Sequence, residues 1–170
     1  MSPAPGAPRI VVMSGICTRH DAISNVVRTQ EQMLVDAGYD VRVYVQHTDF
    51  PGGRHVAVSD AWLLQRDDWY ASADLVILHF GIRYSLFDSL GLSHRGRRVV
   101  HFHNVTPPDL LTGTARHSAV AGIDQASITS LADEVWSDSE YNTRCLLEWT
   151  DVDPGRVRLM ELCTPWADAD

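Results

Sequence analysis

The stretch from Val99 to Pro108, VVHFHNVTPP, ends a β-branched run in two histidines and then breaks at a double proline. His101 and His103 stand two residues apart, so a strand carries both on one face and turns Phe102 to the other. A third histidine, His79, ends the apolar run DLVILH at 74–79. In an open parallel sheet the carboxyl ends of the strands face the ligand crevice, so all three imidazoles are expected there. A neutral imidazole donates from one nitrogen and accepts at the other, which suits sugar hydroxyls. Three imidazoles can also form a catalytic zinc site. No carboxylate or cysteine accompanies these at ligand spacing, so no metal and no cofactor is expected, and the rings read as structural or substrate-binding groups.

Other polar residues fall at the same end of the elements. The segment SGICTRHDAIS at 14–24 sits where a dinucleotide-binding fold carries GxGxxG, yet it has one glycine, and strand two ends at Gln46 and His47 rather than at a ribose-binding carboxylate. NAD and FAD are therefore disfavoured. Arg19, His20 and Asp21 stand before a helix, where a basic side chain and free amides can hold an anion, or where Asp21 simply caps. Asn104, Thr106, Pro107, Pro108 and Asp109 form a stiff polar loop after the histidines, and Asp138 and Ser139 follow a later strand into the same crevice, Ser139 also fitting an N-cap. There is no GxSxG, P-loop or Walker-type lysine, so hydrolase and NTPase templates fail.

These residues need a frame. Strand-like runs at Arg9–Ser14, Val41–Val45, His55–Val58, Asp74–His79, Val99–His103, Glu134–Ser137 and Arg156–Glu161 alternate with helix-like stretches. The helices are expected from about Asp21 to Ala37, with Gly38 at C′, over Trp62–Ala71 and Leu86–Leu90, over Ser118–Leu131, and from an Ser139 N-cap to Trp149. A basic turn runs through Arg95, Arg97 and Arg98. This alternation predicts an α/β fold: a single Rossmann-like domain with a mostly parallel sheet and helices on both faces. The expected divisions are a disordered leader at 1–8, the domain at 9–165 and a linker or tail at 166–170.

The bulk numbers agree with one domain. A chain of 170 residues buries roughly 70% of its unfolded surface, enough for one core. No apolar run is long enough to span a membrane and the leader lacks an apolar signal core, so a cytoplasmic location is expected. All 14 basic residues are Arg and the net charge is −8, which opposes nonspecific attraction to nucleic acid, so no nucleic-acid partner is expected. Cys17, Cys145 and Cys163 are odd in number and far apart, and read as reduced thiols. Trp62, Trp69, Trp136 and Trp149 read as core or edge residues, and Trp166 as a candidate interface residue.

HNVTPP at 103–108, SDSEYN at 137–142, DAISN at 21–25 and LHFGIRYSLFD at 78–88 together resemble the N-terminal domain of family-four-type retaining glycosyltransferases of the two-domain GT-B class. The resemblance runs from about Arg9 to Pro165. It implies the acceptor-binding side of a cleft whose other wall, a second Rossmann domain, binds the nucleotide sugar. The paired glutamates of that donor site have no counterpart here, so the chain is expected to be inactive alone.

By position, His103 matches a histidine whose role resembles hydrogen bonding to the donor sugar, and so takes the catalytic assignment. Asn104 and Thr106 match the loop beside it, and Asp21, Ser24 and Asn25 match the first loop. His20 stands where many relatives have glycine, and Arg83 replaces a small residue, placing there a cation that either meets an anionic acceptor or is a plain surface arginine. Arg19, His79, His101, Asp138 and Ser139 complete the expected substrate-binding set. The expected partners are a nucleotide-sugar donor, held mainly by the missing half, and a small-molecule or glycan acceptor. A partly apolar interdomain face would also allow self-association as a homodimer. The alternative is a noncatalytic Rossmann-like binding or partner module.

Overall fold

The chain's computed structural model describes residues 4–50 and 52–162. Expectations that concern residues 1–3, Pro51, Cys163, Trp166 and the 166–170 tail fall outside the described residues. Seven strands form one sheet: β1 (Arg9–Cys17), β2 (Asp40–Thr48), β3 (His55–Ala57), β4 (Leu75–Phe80), β5 (Arg97–Phe102), β6 (Glu134–Ser137) and β7 (Val157–Leu159). Their order is β3-β2-β1-β4-β5-β6-β7, and every neighbouring pair is parallel. The α-helices are α1 (Ala22–Asp36), α2 (Asp68–Ala71), α3 (Gly113–Ala126) and α4 (Glu140–Trp149).

Both faces of the sheet are buried, which is why the central strands read as continuous apolar runs rather than as alternating ones. On one face Val11, Met13, Leu78, Phe80 and Phe102 pack with Ala119 and Ala126 of α3, Leu146 of α4 and a 3-10 turn bearing Leu86, Phe87 and Leu90. On the other, Val12, Val41, Val43 and Val45 pack against Val27, Ile23 and Leu34 of α1. Asp21 caps α1 and Gly38 follows it at φ 90°, the left-handed turn that a glycine adopts without strain.

Strand order reverses at β1, and there the sheet forks. β1 pairs with β4 only from Ile10 to Met13 but stays with β2 out to Cys17. Such a switch point is where open α/β sheets take ligands. The end of β1, the start of α1 and the loops after β4 and β5 crowd together there. A Cβ on Gly15 would stand 2.9 Å from Tyr84 Cβ, and one on Gly81 would strike the terminal methyl of Ile23 and sit 3.3 Å from the Asn104 carbonyl. Gln125 of α3 then locks the loop after β4, accepting from Tyr84 N at 3.0 Å and donating to Tyr84 O at 2.8 Å.

Several expected elements are redrawn. The stretch Trp62–Ala71 is two pieces, a 3-10 turn at Ala61–Arg66 and α2, because the Asp67 carboxylate between them accepts from Trp69 N and Tyr70 N and starts a new helix. The helix expected from Ser118 begins at Gly113 and tightens to 3-10 geometry at Ser127–Leu131. Arg97 and Arg98 belong to β5 rather than to a turn, and the Arg98 guanidinium donates to the carbonyls of Leu90, Leu92 and Leu131 at the ends of two 3-10 segments. Trp62 is exposed, and Trp69, Trp136 and Trp149 are half-buried. Cys17 and Cys145 are buried free thiols, and burial pushes Cys17 up to about 11.

Gly15→Ala should cost about 1–3 kcal/mol, since the new methyl meets the root of the Tyr84 side chain rather than a movable tip. Gly91→Ala, with open space around it, should stay within about 0.5 kcal/mol of the parent in urea denaturation.

Candidate functional site

β4 and β5 lie in register with His79 opposite His101, so period-two geometry stacks His79, His101 and His103 along one face. That face is the one covered by α1. All three rings are enclosed: residue exposure is 1% for His79 and 3% for His101, and the His103 side chain is 4% exposed. The loop after β6 brings Asp138 across them. Its carboxylate accepts from His101 Nε2 at 2.6 Å and from His103 Nδ1 at 2.7 Å. His79 Nδ1 faces His103 Nε2 at 2.8 Å, and His79 Nε2 meets Gln30 Oε1 at 2.9 Å. His101 Nδ1 is buried with no hydrogen-bond partner.

Burial and hydrogen bonding set the protonation of His79, His103 and Asp138. Burial, then the neighbouring His103 and His101, push His79 well below the ordinary histidine range. Burial also lowers His103, outweighing its hydrogen bond to Asp138. Burial raises the Asp138 carboxyl, but the two imidazole N–H bonds overcome it and the net shift is downward, so Asp138 stays ionised.

The remaining expected residues divide into two sets. Asp21 and Ser24 are spent locally: Asp21 accepts from Ser24 N at 2.7 Å and Ser24 Oγ at 2.6 Å, while Ser24 Oγ accepts from Thr18 N. Ser139 caps α4 through Asn142 N at 3.1 Å. Asn104 donates to Asn142 Oδ1 and accepts from Val105 N, which fixes the start of the loop after β5. By contrast Arg19, His20, Asn25, Arg83 and Thr106 are exposed around the carboxyl edge. His20 (φ 66°) and Asn104 (φ 70°) are the non-glycine residues in the left-handed region among those described. One follows β1 and the other follows β5. Strain of this kind persists only where surrounding structure over-determines it, and it concentrates at ligand-handling loops.

Both His103 ring nitrogens point into the cluster, Nδ1 at Asp138 and Nε2 at His79. The ring therefore anchors the loop that begins at Asn104 and presents no unpaired donor to the crevice. Gln30 and Asn142 complete the network and were missed in the sequence. Gln30 does carry a signal, for it occupies an inward position of α1 in the series Ile23, Val27, Gln30, Leu34, where an apolar residue is the default.

No family model matches the sequence, and no curated protein matches it. Solved structures share the fold. An α-glucosyltransferase in complex with UDP-glucose and DNA containing an abasic site aligns over 94% of this chain and 43% of its own, with a TM-score of 0.62 and 15% identity. An α-glucosyltransferase in complex with UDP and a 13-mer DNA containing an HMU base aligns over 92% and 43%, with a TM-score of 0.63 and 16% identity. One with UDP and a 13-mer containing a central A:G mismatch aligns over 79% and 39%, with a TM-score of 0.53. The chain thus has a GT-B glycosyltransferase-like, Rossmann-like fold and spans less than half the length of these proteins. The expectation of no nucleic-acid partner is corrected: proteins with this fold are solved holding DNA, so a chain-wide charge of −8 does not set nucleic acid aside. Net charge governs long-range nonspecific attraction, whereas a site works through its local groups.

Asp138→Asn leaves one acceptor oxygen for two buried imidazole N–H groups and turns an amide N–H toward the other. Stability should fall by about 1–3 kcal/mol in urea denaturation, with the larger loss if one N–H stays buried and unpaired.

Proposed function

We propose that this chain is the N-terminal, acceptor-side domain of a family-four-type retaining glycosyltransferase. It moves a sugar from a nucleotide diphosphate sugar to an acceptor hydroxyl, with the nucleotide sugar held mainly by a second Rossmann-like domain outside this sequence. The observation that carries the reading is the fold match itself: nearly the whole chain, 94%, corresponds to 43% of an enzyme solved with UDP-glucose. One Rossmann-like unit of a two-unit cleft accounts for that proportion. The motifs at 21–25, 78–88, 103–108 and 137–142 favour the acceptor side.

In this reading the carboxyl edge has two working parts. Residues whose hydrogen bonds are internally spent, Asp21, Ser24, Asn104, Asp138 and Ser139, set the loop shapes. Those left exposed, Arg19, His20, Asn25, Arg83 and Thr106, meet the acceptor. Arg19 and Arg83 give it an electrostatic bias toward anionic acceptors, with a DNA phosphate backbone as one candidate and a glycan as another. His103 serves as a positioning residue: with both nitrogens turned into the cluster, it fixes the path of Asn104 and the 104–109 loop instead of touching the sugar itself.

Retaining transfer passes through an oxocarbenium-like state, in which fixed dipoles that stabilise separating charge matter more than a strong base. Closure of the second domain over this edge would exclude water and complete the constellation, so the chain alone should turn nothing over.

Calorimetric titration of this chain with UDP-glucose tests the assignment of halves. No saturable binding is expected up to about 1 mM, the level at which affinity is worth about −4 kcal/mol. Backbone amides at 103–109 and 138–142 should instead shift in NMR spectra on addition of either maltose or a 13-mer DNA duplex containing HMU. Micromolar binding of UDP-glucose by this chain would assign it to the donor side.

A further inference from the structure

We propose that His79, His101 and His103 form a three-imidazole site for a zinc-class divalent transition-metal ion, with Asp138 and Gln30 fixing the rings from outside. The inference stands apart from sugar transfer and requires no step in it.

The argument is a count of protons and lone pairs. Each ring shows one nitrogen to an oxygen: His79 Nε2 to Gln30 Oε1 at 2.9 Å, His101 Nε2 to Asp138 Oδ1 at 2.6 Å, and His103 Nδ1 to Asp138 Oδ2 at 2.7 Å. An ionised carboxylate and an amide oxygen only accept, so these three nitrogens carry the hydrogens. In a neutral imidazole the other nitrogen then carries a lone pair. Two of those lone pairs, on His79 Nδ1 and His103 Nε2, face each other at 2.8 Å, an arrangement that needs a hydrogen or a metal ion between them. The third, on His101 Nδ1, is buried with no partner.

A proton alone does not solve the pattern. Turning the Gln30 amide over and placing a hydrogen on His79 Nδ1 would satisfy the facing pair, but His101 Nδ1 would still be orphaned. One metal ion satisfies all three. One nitrogen from each ring already lies within 4.8 Å of the others. Zn–N bonds of about 2.0–2.1 Å set tetrahedral N···N distances near 3.3–3.5 Å, so side-chain adjustments of roughly an ångström close the site.

The outer contacts match what such sites use. A metal-bound imidazole donates its second N–H to a carboxylate or carbonyl, which fixes its tautomer and aim. Here Asp138 does this for two ligands and Gln30 for the third. Imidazole-only ligation suits zinc, cobalt, nickel or copper and disfavours magnesium and calcium, which want oxygen. The ion would tie α1, β4, β5 and the β6–α4 loop together. A cavity of about 240 Å³ lined by Gln30, His101, Trp136, Met33 and Met160 borders the cluster.

Tag-free protein dialysed against EDTA should bind one equivalent of Co²⁺ with the visible absorption of a tetrahedral nitrogen site, and Zn²⁺ should displace it. His101→Gln should abolish the signal. Gln30→Ala and Asp138→Asn keep every ligand and should weaken Co²⁺ binding about 10–100-fold. Gln30→Ala lies on a surface helix and keeps the test available if His101→Gln fails to fold. Absence of a stoichiometric Co²⁺ spectrum, or unchanged affinity in both His101→Gln and Gln30→Ala, would overturn the site, the second outcome placing the metal on other histidines.

Discussion

A single carboxylate holding two buried imidazole N–H groups is the constraint on which the carboxyl edge depends. Asp138 comes from the loop after β6, and His101 and His103 come from β5. The pair of bonds therefore does more than neutralise polar groups: it sets where β5 stops being a strand and where its loop begins. A buried charge is tolerated only when its lone pairs are used, and here both oxygens are. The same bonds restrict each ring to one tautomer, which makes the protons of the whole cluster a connected set rather than three independent choices.

From that anchor the polar network extends outward with diminishing burial. Asn104 turns immediately after His103 into left-handed geometry and is held there by Asn142 of α4 and by Val105 N. On the far side of the switch point, His20 takes the same unfavourable backbone region just before the Asp21 cap. Two strained residues on two different loops are compatible with one marginally stable domain only because each is flanked by well-satisfied neighbours. The rigid part of the edge is thus built from spent side chains, and the exposed arginines and Thr106 ride on it.

The architecture was legible because it rests on periodicity. Nearly continuous apolar runs at 75–80 and 99–102, interrupted by His79 and His101, announce strands buried on both faces, and Asp21, Gly38 and Ser139 mark helix ends by local chemistry that no tertiary contact had to override. What stayed hidden depends on distance in sequence. Gln30 and His79 are 49 residues apart, and Asp138 and His101 are 37 apart, so nothing local says that a helix amide and a loop carboxylate will meet the same histidines. The division of Trp62–Ala71 was similarly invisible, since Asp67 restarts a helix through its own side chain while also accepting from the distant Tyr44 hydroxyl. The acidity of the chain was readable too, but a sum over all residues carries no information about the few that line one edge.

Among the described residues, both lateral margins of the sheet are stubs. β3 and β7 are three residues each, against nine for β1 and β2. A margin of that length offers too few free amides and carbonyls to template another ribbon. Growth by strand addition is thereby discouraged at these flanks, which leaves the loops and helical surfaces, where side-chain identity can discriminate between visitors, as the better ground for association.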